Sequence, residues 1–161
     1  MVIRLPMSKS GYETLKIELE KLLKTDRMEN IKDIERAREH GDLKENAEYH
    51  AAKERQSFIE GRIMELKDKL SRAEVIDCTK VNCEKVVFGT VVTVNDLDTD
   101  EELVYRILGP EESDLRKGRI SVQSPLGSSM LGKSVGDDVQ VRTPGGIRQF
   151  EIIEITPSQE S

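Results

Sequence analysis

Apolar residues recur at heptad spacing in two runs within the first half of the chain. Tyr12, Leu15, Leu19 and Leu22 follow one another at intervals of three and four, and the run from Ile59 to Ala73 keeps the same rhythm. These intervals place the side chains on one stripe of an α-helix, as in the seam of a coiled coil. The pattern predicts two long helices in this half.

The two runs match each other when the chain is folded back at Gly41. The residue numbers of each facing pair then sum to 81 or 82, for Tyr12–Leu70, Leu15–Leu66, Leu19–Ile63 and Leu22–Ile59. Because half of that sum is close to 41, the pattern predicts an antiparallel helical hairpin. Ser8 is the expected N-cap of its first helix.

Gly61 has two interpretations in this hairpin. It lies near the level of Leu22 and Leu23, where a missing side chain would let the arms pack closely. Alternatively it is a tolerated glycine inside a helix, at a cost of about 1 kcal/mol.

Residues 77–161 have a different pattern, with frequent Gly and short β-branched runs. The expected strands are VVFGTVVTV, LVYRIL, RISV, DVQVRT and RQFEIIEI. Ser124 and Pro125 are typical of the N-cap and first residue of a short helix. The chain is therefore predicted to be α+β, with an antiparallel coiled-coil hairpin over residues 1–76 and a small α+β domain over residues 77–161.

Charge and cysteine content narrow the functional classes. Residues 1–76 hold 16 basic and 16 acidic residues, whereas residues 77–161 hold 9 and 15. An acidic second half argues against stable binding of duplex DNA by the chain alone. Cys78 and Cys83 lack the partners of a zinc site or a disulfide framework, so free thiols in a reducing cytoplasm are expected. Neither a membrane-spanning run nor an export leader is apparent, and no membrane partner is expected.

Two acids occupy the predicted turn, in the stretch HGDLKENAEYH. Asp42 as N-cap and Glu45 three residues later would form a variant of the capping box. Alternatively, two carboxylates at an exposed tip would bind Mg²⁺, and a partner would complete its coordination. The residues alone leave both interpretations open.

Basic side chains cluster around the same tip, and they too have two interpretations. They would form ion pairs on a solvated coiled-coil face, or they would contact nucleic-acid phosphates. The cluster consists of Arg36, Arg38, His40, Lys44, Lys53 and Arg55.

Longer motifs add a resemblance to a known family. AREHGDLKENAEYHAAKERQ followed by SFIEGRI, and then ISVQSPLG, LGKSVGDDVQV and TPGG, resemble the bacterial Gre transcript cleavage factors, most closely the GreA type. The likeness covers nearly the whole chain in order. It implies an FKBP-like fold for the second domain and a cytoplasmic, monomeric transcription elongation factor.

The resemblance also implies how such a factor acts. It would bind bacterial RNA polymerase through the secondary channel and stimulate the polymerase's own cleavage of backtracked nascent RNA, which rescues arrested complexes. The chain would not itself be an enzyme. Asp42 and Glu45 would act as catalytic carboxylates in the polymerase active centre, sharing a Mg²⁺ that the isolated protein does not hold.

Other positions carry further roles by the same resemblance. Arg38 and Lys53 match the basic patch that contacts the nascent RNA 3′ end, and Ser124, Pro125 and Leu126 match the region that docks on polymerase. Two alternatives remain at this stage: a polymerase inhibitor that enters the channel without stimulating cleavage, and a dimeric coiled-coil scaffold.

Overall fold

The computed structural model describes residues 3–160. The chain forms two compact units, one built on Tyr12–Ala73 and the other on Pro6–Gly11 together with the segment from Glu74 onward. The fold is α+β, with a helical hairpin in the first unit and a β-sheet in the second, as predicted. No helix among residues 3–160 is both long enough and apolar enough to cross a membrane.

The hairpin has one interrupted arm and one continuous arm. The first consists of α1 (Lys9–Lys21), a π-helical turn (Leu22–Asp26) and α2 (Arg27–Arg38). The second is α3 (Ala47–Arg72), with 26 residues. The Ser8 hydroxyl accepts a hydrogen bond from the Gly11 amide at 3.1 Å, which confirms Ser8 as the N-cap of α1.

Most of the predicted seam is buried between the arms. Asn30 lies among its apolar residues and donates from Nδ2 to the Ala52 carbonyl at 2.9 Å. This bond gives a buried side-chain amide a partner. It also joins two residues whose numbers sum to 82, as expected for positions that face each other in the hairpin. Tyr12, Leu19 and Leu70 are only half-buried. The buried apolar members are Leu15, Leu22, Ile34 and Ala37 of the first arm and Ala52, Ile59, Ile63 and Leu66 of α3.

The π-helical turn was not predicted, and its cause lies in the spacing of buried residues. From Leu22 to the next buried position, Asn30, the first arm takes eight residues, whereas α3 takes seven from Ala52 to Ile59. A π-helical turn accommodates one extra residue because its hydrogen bonds span five residues instead of four. The turn therefore keeps the later residues of this arm facing α3.

Two bidentate ion pairs flank the seam. Arg62 donates to both carboxylate oxygens of Glu18 at 2.8 and 2.9 Å, and Arg27 does the same to Glu60 at 2.9 and 2.8 Å. The hydrogen bonds from Arg27 lower the pKa of Glu60. The planar fork of each guanidinium matches a carboxylate in one geometry, so these pairs favour a single alignment of the arms.

Gly61 lies on the exposed face of α3, and a Cβ built there meets nothing within 4 Å. The interpretation that it admits close packing is therefore wrong.

We expect Gly61→Ala to raise the free energy of unfolding by about 0.5–1 kcal/mol, since alanine loses less backbone entropy in a helix. Urea unfolding checks this. Gly41, with φ +95°, is the contrasting control, because alanine there should destabilise by about 1–2 kcal/mol.

The second unit contains a five-stranded sheet in the order β5-β4-β3-β7-β6. Neighbours are antiparallel except β4 and β5, which are parallel. A separate two-stranded sheet pairs β1 (Leu5–Ser8) with β2 (Ala73–Ile76). The strands of the larger sheet are β3 (Thr90–Asp96), β4 (Glu101–Leu108), β5 (Arg119–Ser121), β6 (Asp138–Thr143) and β7 (Gly146–Pro157).

Alternate residues of β3 point into the core of this unit, where Val92 and Val94 are fully buried. Each of the five predicted strand runs coincides with a strand, the first only in part. The first run was predicted from Val86, but β3 begins only at Thr90. Val86 is buried in the core without being in a strand, and Gly89 turns the chain with φ +91°.

The short helix α4 (Pro125–Met130) begins as predicted. The Ser124 hydroxyl accepts a hydrogen bond from the Gly127 amide at 3.1 Å, and Pro125 occupies the first helical position. Proline is suited to this position because the first amides of a helix have no partner within it. Met130, at the other end of α4, is fully buried in the core.

Candidate functional site

The hairpin tip is an exposed loop over residues 39–46, between the end of α2 and the start of α3. Gly41 adopts φ +95°, in the left-handed region that glycine enters without steric cost. Its amide donates to the Arg38 carbonyl at 3.2 Å. The predicted bend at Gly41 is confirmed, but the loop is longer than a simple turn.

Asn46, which was not predicted as a functional or capping residue, closes this loop. Its Oδ1 accepts a hydrogen bond from the Tyr49 amide at 3.1 Å, and its Nδ2 donates to the Ala37 carbonyl at 2.6 Å. One side chain therefore caps α3 and binds the end of α2. The interpretation of Asp42 as N-cap with Glu45 at the third helical position is wrong, because α3 begins only after Asn46.

Asp42 and Glu45 are exposed and line one hollow, here called the tip hollow. One Asp42 oxygen, Oδ1, accepts a hydrogen bond from the Lys44 amide at 3.0 Å. Within residues 3–160, the second oxygen of that carboxylate has no hydrogen-bond donor. The structure thus brings the two predicted acids together. The other residues of the tip hollow are His40, Asn46, Ala47 and Glu48.

The oxygen chemistry of this pair suits a hard cation such as Mg²⁺. The pair is also incomplete, since no group of three or more His, Cys, Asp or Glu in the described part of the chain could hold a metal ion. Two carboxylates supply a minority of the ligands of an octahedral ion. The tip hollow therefore fits part of a magnesium site, and a partner would have to provide the remaining ligands.

The two histidines border the same loop and are exposed, as expected. His50 Nε2 lies 2.8 Å from the Lys44 carbonyl oxygen. His40 Nε2 lies 3.6 Å from a carboxylate oxygen of Glu48, an ion pair only when the imidazole is protonated. The contact of His50 with the loop was missed, because nothing in the spacing shows that its ring reaches Lys44.

The basic residues near the tip fall into two groups. Arg36 lies 3.8 Å from Asp33, and Arg55 contacts Asp33 at 3.4 Å, so these two form ion pairs on the hairpin surface. Arg38 and Lys53 are exposed, and neither forms an ion pair within residues 3–160. Lys53 donates to the Gln56 side chain at 2.9 Å. Arg38 and Lys53 therefore keep their charge available to an outside partner.

Ser124, Pro125 and Leu126 lie in the second unit and line a hollow there, here called the docking hollow. Its walls are largely apolar and its rim includes arginines. Its aromatic member, Tyr105, has its pKa raised by burial. The remaining lining residues are Ser113, Leu115, Arg119, Ile120, Ser121, Val141, Arg142, Thr143, Pro144 and Arg148.

Both cysteines are free thiols, as predicted. Cys78 is fully buried, and burial raises the pKa of its thiol. A buried thiol of raised pKa is a weak nucleophile, because the thiolate is the reactive form. Cys78 is therefore part of the interior of the second unit.

Comparison with known proteins places these features in a family. Residues 5–75 match the family model described as "Transcription elongation factor, N-terminal" (GreA_GreB_N), and residues 81–157 match "Transcription elongation factor, GreA/GreB, C-term". Together the two matches include the hairpin, its tip and the five-stranded sheet.

Individual relatives agree with the family models. The chain is 63% identical over 155 residues to transcription elongation factor GreA of Desulfotalea psychrophila, covering 96% of each chain. It is 55% identical over 153 residues to GreA of Magnetococcus marinus, covering 95% of this chain and 98% of the relative. The crystal structure of GreA factor homolog 1 (Gfh1) of Thermus thermophilus is 31% identical, covers 94% of this chain and 98% of its own, and has a TM-score of 0.44. The chain belongs to the GreA/GreB family of transcription elongation factors.

Proposed function

We propose that this chain carries the carboxylates of Asp42 and Glu45 through the secondary channel into the active centre of bacterial RNA polymerase. The family consists of transcription elongation factors that stimulate RNA cleavage by the polymerase, and the chain shares that function. The proposal concerns which of its residues do this. Backtracked nascent RNA, whose 3′ end has left the active site, is the substrate.

The observation that carries the proposal is the position of the two acids. Both are exposed, both line the tip hollow, and neither caps α3, because Asn46 does so. The competing capping interpretation therefore no longer accounts for them. Exposed carboxylates at the end of a hairpin whose second arm has 26 residues, about 39 Å at 1.5 Å per residue, are placed to act inside a partner.

Asp42 and Glu45 complete a site that neither protein has alone. When bound, a second Mg²⁺ would supply stabilisation of the developing phosphate charge and a water of lowered pKa. The free Asp42 oxygen and the Glu45 carboxylate would hold that ion from the side of the factor. The polymerase would hold it from the other side. The chain then donates catalytic groups and has no complete active site of its own.

Arg38 and Lys53 would hold the RNA 3′ end beside this site. Both are exposed and unpaired by acids in the described residues, and cationic side chains bind phosphates without reading the base sequence. Their role is to keep the extruded strand near the carboxylates, which makes the reaction effectively intramolecular.

The direct test is to add the protein to a stalled, backtracked elongation complex in the presence of Mg²⁺. Shortened RNA that resumes extension is the expected result. Slower synthesis without shortened RNA would instead identify a channel-entering inhibitor. No effect on the complex, combined with dimerisation of the chain, would identify a scaffold.

We further propose that the docking hollow attaches the second unit to polymerase. Pro125 is exposed at the first position of α4, and apolar side chains in pockets contribute much of the energy of protein interfaces. Pro125→Glu should weaken polymerase binding by about 10-fold or more, a loss typical of a contact residue. Cleavage should recover at high factor concentration because the tip is intact.

A matched control is available at Pro110, which is also exposed and begins the short 3₁₀ helix Pro110–Glu112 outside the docking hollow. Pro110→Glu makes the same chemical change at an equivalent backbone position, so it should leave polymerase affinity unchanged. Equal affinities for the two variants in a binding titration would mean that the docking hollow is not part of the polymerase interface.

A further inference from the structure

The two peptide groups that meet at Lys44 are each held by a side chain. Its amide donates to Asp42 Oδ1 at 3.0 Å, and its carbonyl oxygen lies 2.8 Å from His50 Nε2. Lys44 stands between the two acids in the sequence, and its carbonyl belongs to the peptide bond that leads into Glu45. Fixing the backbone on both sides of the Lys44 Cα therefore restricts the directions in which Asp42 and Glu45 point.

The contact with His50 is a hydrogen bond in which the imidazole donates from Nε2. A carbonyl oxygen can only accept, so Nε2 must carry the proton. His50 lies in the first turn of α3, where its own amide donates to the Asn46 carbonyl at 3.1 Å. The imidazole thus extends from a helix, which is a more rigid support than the loop it contacts.

We propose that His50 is a positioning residue for the tip carboxylates and acts through the Lys44–Glu45 peptide group. This inference rests on the proposed function of Asp42 and Glu45. It assigns His50 no contact with RNA or metal. The imidazole holds the loop so that both carboxylates reach the shared ion in one geometry, which spares the ordering cost on binding.

The contribution of His50 is separable from the stability of the hairpin. The start of α3 and the end of α2 are bound by Asn46, through the Tyr49 amide and the Ala37 carbonyl. Removing the imidazole leaves both of those hydrogen bonds in place. The expected damage is therefore confined to the loop between them and to an edge-on contact with the Tyr49 ring, whose centroid lies 5.8 Å from that of the imidazole.

Three substitutions at His50 separate the hydrogen bond from the bulk of the ring. In His50→Gln the side-chain amide nitrogen can occupy the place of Nε2 and donate to the Lys44 carbonyl. His50→Asn carries the same amide one bond shorter and cannot reach it. His50→Leu has no donor. Glu54→Asn, at an exposed position one turn further from the tip, controls for the lower helix propensity of asparagine.

The first measurement is the Mg²⁺ dependence of RNA cleavage in a backtracked elongation complex. His50→Asn and His50→Leu should raise the half-saturating Mg²⁺ concentration by about 10-fold or more, the range seen when a residue that orients a metal ligand is removed. His50→Gln and Glu54→Asn should match the original protein. Polymerase affinity and melting temperature should be the same for His50→Asn as for Glu54→Asn.

The second measurement uses the free protein and needs no polymerase. NMR order parameters of the Lys44 and Glu45 amides should indicate a rigid loop, about 0.8, in the original protein and in His50→Gln. In His50→Asn and His50→Leu they should fall below about 0.6, the range of flexible backbone. If His50→Leu does not fold, the comparison of Gln with Asn still decides the question.

The outcomes distinguish this inference from the proposed function. Loss of cleavage in Asp42→Asn together with normal Mg²⁺ dependence and a rigid loop in His50→Asn would overturn the positioning role alone. Equal damage in His50→Gln and His50→Asn would also overturn it, because the donor would not be what matters. A lower melting temperature or a weaker polymerase affinity, with unchanged Mg²⁺ dependence, would mean that His50 has only a structural role. Full cleavage by Asp42→Asn would overturn the proposed function, and the inference with it.

Discussion

Asp42→Asn and Glu45→Gln should each remove most of the stimulated RNA cleavage while leaving the hairpin folded and bound to polymerase. The expected loss is about 10²-fold or more in the cleavage rate, the order found when one group that stabilises transition-state charge is removed. Each substitution removes the negative charge of a proposed magnesium ligand and keeps the size of the side chain.

In the structure, these substitutions disturb the local hydrogen bonds less than the sequence suggested. The amide oxygen of asparagine can still accept the Lys44 amide hydrogen bond that Asp42 Oδ1 accepts. Glu45 does not cap α3, which begins after Asn46. Neither change should therefore disturb the start of the helix, and the melting temperature should stay within about 1–2 °C, as for surface changes of a few tenths of a kcal/mol.

Excess Mg²⁺ provides the internal control for the acids. A weakened metal site can be partly refilled by mass action, so cleavage by each single variant should rise as the Mg²⁺ concentration is increased. Cleavage, polymerase binding and thermal melts should be measured on the same samples. Full activity in the double variant would contradict a metal-binding role for the tip.

The helical hairpin could be predicted from the sequence because its evidence is redundant. Each heptad position in one arm has a partner in the other at a residue sum of 81 or 82, and Gly41 lies at the midpoint. The same logic failed where a polar residue entered the seam. Asn30 is buried, but a search for regularly spaced apolar residues omits it. The one extra residue that the π-helical turn accommodates therefore could not be predicted.

The start of α3 was misjudged for a related reason. Two capping patterns overlap in the tip, one beginning at Asp42 and the other at Asn46, and local propensity does not choose between them. The choice depends on Asn46 Nδ2 reaching the Ala37 carbonyl, nine residues earlier, at 2.6 Å. A contact across the loop decides the boundary, and the spacing of residues does not reveal such a contact.

The strands of the β-sheet could be predicted from the sequence, but the docking hollow could not. The β-branched runs identified all five strands of the larger sheet, and in β3 and β6 burial alternates as expected for a strand with one buried face. The docking hollow gathers residues from Tyr105 to Arg148, and their adjacency follows from the order of strands in the sheet. Ser124, Pro125 and Leu126 were selected by resemblance, and their role in docking stays a prediction.

Shortening the hairpin by one heptad in each arm should abolish stimulation of cleavage without abolishing polymerase binding. The matched deletions are Leu15–Lys21 and Gly61–Lys67, whose ends pair at a residue sum of 82. They remove the Glu18–Arg62 ion pair as a unit and keep Arg27 with Glu60. Because seven residues are lost from each arm, Leu22 and Ile59 keep their heptad phase.

The expected effect is a matter of distance. Seven helical residues span about 10 Å, whereas a carboxylate oxygen must lie about 2.1 Å from Mg²⁺ to bind it. The shortened protein should therefore compete with the full-length chain for polymerase and fail to cleave. Excess Mg²⁺ should not restore its activity, which separates lost reach from the lost charge of Asp42→Asn. Normal cleavage by the shortened protein, with its fold verified by circular dichroism, would mean that the hairpin does not act as a rigid support of fixed length.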